Sequence, residues 1–216
     1  MRQKQTAVVI SQREIAPDIY DMWLETALAR EAGPGQFLGI YPKDKSTLLP
    51  RPISICEINE QIGALRLVYR VAGAGTREFC GYEAGDSVSI LGVLGNGFPL
   101  EQGMGKKVFL MGGGIGVPPI LELAKRLEGD KQIILGYRDQ KHDLKQNGRV
   151  YVATEDGTVG TRGNVMDAIR ENGLEAEVIF ACGPMPMLRA IKAYAAKKGI
   201  PAYISLEEHM ACGVGA

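Results

Sequence analysis

Lys107-Val108-Phe109-Leu110-Met111-Gly112-Gly113-Gly114-Ile115-Gly116-Val117-Pro118-Pro119 runs from apolar residues into glycines and then into prolines. A short apolar run bounded by glycine reads as a buried strand, and proline suits the first turn of a helix. Glycines between strand and helix let main chain approach a diphosphate, whose charge is favoured by the N–H groups at a helix start. Pro119 stands where the third glycine of the Gly-x-Gly-x-x-Gly fingerprint belongs. By themselves Gly114 and Gly116 therefore read equally well as a tight turn without a ligand.

Downstream the alternation continues. Residues 118–129 read as a helix, 131–137 and 149–155 as strands, 161–173 as a helix, 176–183 as a strand, 184–199 as a helix and 202–207 as a strand. Apolar strands separated by amphipathic helices indicate a parallel sheet covered on both faces. Upstream the pattern is different. Residues 6–15, 19–26, 36–41, 52–58, 64–71 and 86–95 are short runs rich in β-branched and aromatic residues, separated by turn formers, with no helical period among them. Six such strands suggest a small closed barrel, which leaves no exposed edge. The Gly-rich stretch 95–106 is the expected connector.

Composition narrows the classes. Lys plus Arg and Asp plus Glu are 25 each, so there is no basic surplus to neutralise a nucleic-acid backbone, and no nucleic-acid partner is expected. No apolar run approaches the ~20 residues of a spanning helix, so no membrane span is expected. The first residues enter strand-like alternation without a secretory leader, which points to the cytoplasm. There Cys56, Cys80, Cys182 and Cys212 would stay reduced. His142 and His209 have no metal-site spacing and read as surface residues.

Three further motifs carry chemistry. Cys182-Gly183-Pro184 ends a later strand of the same sheet, where ligands gather at the carboxyl ends of strands. Cys182 there is either a small buried apolar residue or one that faces a cofactor. Arg51-Pro52-Ile53-Ser54 opens a strand, and Arg51 is either a plain strand-entrance arginine or a planar fork for phosphate. Val68-Tyr69-Arg70 leads into a glycine loop where Gly75 and Thr76 can offer backbone and hydroxyl donors to phosphate.

In this order the motifs resemble the ferredoxin–NADP reductase superfamily, over nearly the whole chain. The resemblance implies a β + α/β architecture: a small antiparallel FAD-binding β-barrel over 1–98 and a doubly wound parallel-sheet NAD-binding domain over 106–205. It also implies that Arg51, Pro52, Ile53 and Ser54 bind the FAD pyrophosphate and ring. Val68, Tyr69 and Arg70 would line the flavin, Gly75 and Thr76 would hold phosphate, and Gly114, Gly116, Cys182, Gly183 and Pro184 would meet the nicotinamide cofactor.

The tail 206–216, with Glu207-x-x-Met210-Ala211-Cys212-Gly213-Val214-Gly215, is similar to the start of an iron–sulfur loop in the dihydroorotate dehydrogenase electron-transfer subunit family. That family would make Cys212 the first metal ligand of a 2Fe–2S cluster in a Cys-x4-Cys-x2-Cys order. Ala216 lies one residue short of the second cysteine, so a chain ending there is expected to lack the cluster. The family further implies a partner: an FMN-containing catalytic subunit that oxidises dihydroorotate in pyrimidine synthesis, with two copies of each subunit. A related sulfhydrogenase or NADH-dependent ferredoxin:NADP oxidoreductase subunit, or a flavin-less binding module, are the alternatives. Thr154-Glu155-Asp156-Gly157-Thr158, Gly160 and Gly163 recur in this subfamily, and a nicotinamide-ribose contact and a polar turn both stay open there. Arg138 beside Asp139 leaves the choice between NADH and NADPH open by charge; the family leans to NADH.

Overall fold

The computed structural model describes residues 4–44, 48–138 and 149–206. The chain divides between Gly97 and Phe98 into two compact units.

The first unit holds β1 (Lys4–Ala16), β2 (Ile19–Glu25), β3 (Phe37–Tyr41), β4 (Arg51–Asn59), β5 (Ala64–Arg70), α1 (Ala74–Phe79) and β6 (Ser87–Leu94). Its strands close in the order β1-β2-β5-β4-β3-β6, every pairing antiparallel. Alternation explains the closure. Ala7 and Val9, Met22 and Leu24, Leu38 and Ile40, Ile53 and Ile55, Leu65, Leu67 and Tyr69, and Val88 and Ile90 all point into one core. On the outside, Asp21 is only 3% exposed and takes two hydrogen bonds from Arg66, at 2.8 and 2.9 Å. That bond keeps Arg66 protonated well above its ordinary range.

One expectation fails in this unit. The stretch after Val68 is not only a glycine loop, because Gly73 caps a six-residue helix, α1, that buries Phe79 in the core. Gln12 on β1 holds the far end of that helix, donating to the carbonyls of Phe79 (2.8 Å) and Tyr82 (3.0 Å).

The second unit holds β7 (Lys107–Gly113), α2 (Val117–Arg126), β8 (Asp130–Tyr137), β9 (Arg149–Thr154), β10 (Thr161–Arg162), α3 (Val165–Glu171), β11 (Val178–Cys182), α4 (Met185–Lys198) and β12 (Ala202–Ser205). The sheet order is β10-β9-β8-β7-β11-β12, all parallel. From β7 the chain steps outward to β10, then returns to the other side of β7. The order therefore reverses between β7 and β11, and ligands of open α/β sheets bind above such a point. Phe109, Met111, Ile134, Ile179 and Ala181 share a core with α3 and α4. Residues of the other parity, such as Val108 and Gly112, face the opposite side, where Val117 of α2 lies against Gly112.

Here too the sequence reading is corrected. Thr161 and Arg162 pair with β9 and do not start the helix. Asn164 starts it: its side chain accepts from the Met166 amide at 2.9 Å, and Asp167 accepts from the Asn164 amide at 2.9 Å. No described helix is long and apolar enough to cross a membrane.

Candidate functional site

The residues expected to meet the two cofactors fall in both units. On the barrel, Ile53 and Ile55 point inward, so Pro52 and Ser54 face outward; Leu67 and Tyr69 point inward, so Val68 and Arg70 face outward. The β4–β5 ladder runs to Ile55↔Leu67, and its continuation brings Ser54 level with Val68. On the other side Ser54 pairs with Phe37 and Pro52 with Gly39. Ser54, Pro52, Val68 and Arg70 thus form one outward strip bordered by Phe37 and Gly39. A Cβ on Gly39 would stand 3.1 Å from Pro50 Cβ, tighter than an ordinary contact, so glycine suits that edge.

Ile53 and Tyr69 do not join this strip. Tyr69 is 1% exposed, stacks on Tyr20 at 5.7 Å and donates its hydroxyl to Gln12 Oε1 at 2.9 Å. Burial pushes its pKa far up. Both residues can offer a ligand main chain only. The sequence missed Phe37 and Gly39, although their outward parity in a strand read as β was the available signal.

Arg51 stands at the barrel rim and donates from Nη1 to the Leu49 carbonyl at 2.9 Å. Gly75 lies against it. A Cβ there would meet Arg51 Nε at 2.7 Å and Pro42 Cγ at 3.2 Å. The amides of Ala74, Gly75 and Thr76 form the first turn of α1, where the helix supplies no acceptor of its own. A guanidinium beside such a turn favours an anion. Thr76 plays a different part from the one expected. Its Oγ1 accepts from the amides of Ala72 (2.9 Å) and Gly73 (3.2 Å) and donates to the Gly73 carbonyl (3.2 Å). The hydroxyl is committed to shaping the turn, which leaves the Thr76 amide as the group it could offer a ligand.

In the second unit Cys182 pairs with Gly112 across the point where strand order reverses. Glycines let the two loops above it touch. A Cβ on Gly116 would stand 2.5 Å from the Cys182 carbonyl carbon, and one on Gly113 2.5 Å from Met187 Sδ. Gly183 takes φ +159° and Gly114 φ +53°, and Gly114 stands exposed with open space around it. Cys182 is 2% exposed, so of its two readings the structure favours the small buried residue; Pro184 is exposed at the cap of α4. The floor of this site is main chain.

The segment after β9 closes on itself. Thr154 Oγ1 donates to the Val159 carbonyl at 2.9 Å and accepts from its amide at 3.1 Å. Asp156 accepts from the amide (3.0 Å) and hydroxyl (2.8 Å) of Thr158, which hold its pKa below the ordinary carboxylate range. Of the two readings of this segment, the polar turn accounts for these bonds. Asp139, His142, His209 and Cys212 lie outside the described residues.

No family model matches the chain. It is 43% identical over 228 positions to the dihydroorotate dehydrogenase B (NAD(+)) electron transfer subunit of Bacillus cereus (strain B4264), covering 100% of this chain and 87% of the relative. The protein of the same name from Bacillus anthracis (strain A0248) is 42% identical over the same shares. Among solved structures, an NADH-dependent reduced ferredoxin–NADP oxidoreductase superposes with a TM-score of 0.83 at 25% identity, over 97% of this chain and 79% of that one. A ferredoxin NADP+ reductase from Neisseria gonorrhoeae with bound FAD and NADP superposes with a TM-score of 0.75 at 14% identity, over 94% and 99%, which speaks for the fold alone. Identity of this extent over the full length places the chain in the family of dihydroorotate dehydrogenase B (NAD(+)) electron transfer subunits, on a ferredoxin reductase-like fold.

Proposed function

We propose that this chain is a flavoprotein that takes electrons between NADH/NAD and an FMN-containing catalytic subunit, which oxidises dihydroorotate to orotate in pyrimidine synthesis. The observation that carries the reading is the cradle at Arg51, where a side chain on Gly75 would fill the space between the guanidinium and the first turn of α1. That donor set suits the diphosphate of FAD.

Bound FAD would supply two-electron chemistry toward reduced nicotinamide and one-electron chemistry toward the partner. The residues of the chain bind and orient. Arg51 and the amides of Ala74, Gly75 and Thr76 would hold the FAD diphosphate. Ser54 would meet a polar edge of the ring, with Val68 and Pro52 as the apolar and flat surface beside it. Gly114, Gly116 and Gly183 would admit the NADH diphosphate against main chain. No side-chain acid or base is needed, because such a transfer depends on placing donor and acceptor within ~3–3.5 Å. In a chain that carries the further cysteines, Cys212 is read as the first ligand of a 2Fe–2S cluster that continues the path to the partner, in an assembly of two copies of each subunit.

The test is the visible spectrum of freshly purified protein. A yellow solution with flavin absorption is expected, and release of the pigment by denaturation should yield FAD. A colourless protein that takes up no added FAD would leave the binding-module reading in its place.

A further inference from the structure

Glu78 lies in α1 three residues beyond Gly75 and has no part in the reading above. Its carboxylate is unusually well met for a half-buried surface group. Oε1 accepts from the Lys43 amide at 2.6 Å and from the Tyr82 hydroxyl at 2.9 Å, and Oε2 accepts from the Asp44 amide at 3.1 Å. Lys43 and Asp44 begin the connection from β3 to β4. The same connection touches α1 again through Pro42, the neighbour of Gly75, and its other end supplies Leu49, whose carbonyl holds Arg51. The Lys43 ammonium is directed elsewhere, 3.6 Å from Asp86 and 4.7 Å from the centre of the Tyr82 ring. Glu78 is thus met by two main-chain amides and a phenol, which fix position, and not by a mobile charged partner. Those donors also absorb its charge locally, so a carboxylate is tolerated near a site built for an anion.

We propose that Glu78 is a positioning residue for the diphosphate site: it fastens α1 to the start of the β3–β4 connection and so holds the turn at Gly75 against Arg51. The proposal rests on the flavin reading above. It accounts for a feature that reading leaves unexplained, a carboxylate with three donors on a helix that Phe79 already anchors in the core. Arg51 and the α1 amides belong to separate segments, and only a fixed distance between them lets one diphosphate meet both.

The experiment is FAD titration of the flavin-stripped full chain in a double-mutant cycle of Glu78→Gln and Arg51→Gln, with the melting temperature of each apoprotein measured alongside. Glutamine can accept with one atom only and turns an NH2 group toward a donor. Glu78→Gln is therefore expected to weaken FAD binding about tenfold, with only a modest fall in the apoprotein's melting temperature from the donor left unmet. In the Arg51→Gln background the same change should add less than about twofold, since Glu78 acts through the geometry of Arg51. Full additivity would overturn the proposal. So would unchanged FAD affinity in Glu78→Gln, while the flavin reading stood on the wild-type titration; a wild type that binds no FAD would remove both. Should Glu78→Gln fail to fold, Glu78→Asp keeps the charge but shortens the reach and should show the same coupling to Arg51. A large fall in apoprotein melting temperature for both variants would make Glu78 a plain element of the fold and end the assignment.

Discussion

At the scale of single residues, two glycines separate binding from folding. The hypothetical Cβ of Gly75 meets the middle of a long arginine side chain, whereas that of Gly116 meets the Cys182 backbone at 2.5 Å. A side chain can swing away and main chain cannot. Gly75→Ala should therefore leave thermal stability nearly intact but displace Arg51 and weaken FAD binding about tenfold or more, ~1.4 kcal/mol. Gly116→Ala should lower stability by about 2–3 kcal/mol, as overpacking does, and show in a denaturant midpoint before any assay of NADH. Equal effects of the two changes on stability would contradict this division. Arg51 and Gly75 were both legible in the sequence as candidates, but their contact was not, because 23 intervening residues give no hint that α1 folds back onto the rim of β4.

Among elements, what could be read depended on length and on how one-sided the burial is. β1 and β2 alternate and run long enough to declare a strand period. α1 is six residues, under two turns, too short for a helical period to register, and β10 is a two-residue strand inside what reads as the approach to a helix. β5 hid its orientation in another way. Leu65, Leu67, Val68 and Tyr69 are all buried, so alternation could not say that Tyr69 turns inward and Val68 outward. The placement of α1 carries a pH consequence. Burial raises the Glu78 pKa, but the amides of Lys43 and Asp44 and the Tyr82 hydroxyl outweigh it and the net shift is downward, with Asp44 and the Lys43–Asp86 pair as the other charges nearby. A carboxyl lowered in the folded state contributes stability that is present above its unfolded value of ~4.3 and is lost as pH falls through the folded value. The unfolding midpoint should therefore fall below about pH 4.3 in the wild type, with a shallower fall in Glu78→Gln. Identical acid profiles would show that the carboxylate is not linked to folding.

For the molecule as a whole, the two architectures were plain from the change of period near residue 95, and the family from the order of the motifs. The sequence said less about where chemistry would be absent. Thr154 and Thr76 look like ligand donors in a string of letters, and in three dimensions their hydroxyls close turns. The proposed division of labour gives a direct expectation. The chain alone should oxidise NADH with an artificial acceptor such as ferricyanide and form no orotate from dihydroorotate. Orotate made by this chain in the absence of any partner would refute that division.

The out-and-back order of the parallel sheet bears on how the second unit is made. Its neighbouring strands β7 and β11 are separated along the chain by the whole excursion through β8, β9 and β10. During synthesis the first four strands can emerge and pair while one flank of β7 is still bare, and that flank is covered only when residues up to Cys182 have left the ribosome. A nascent chain stalled before Val178 would display a row of unsatisfied amides beside its most apolar strand, which makes this interval the time at which a chaperone is most needed.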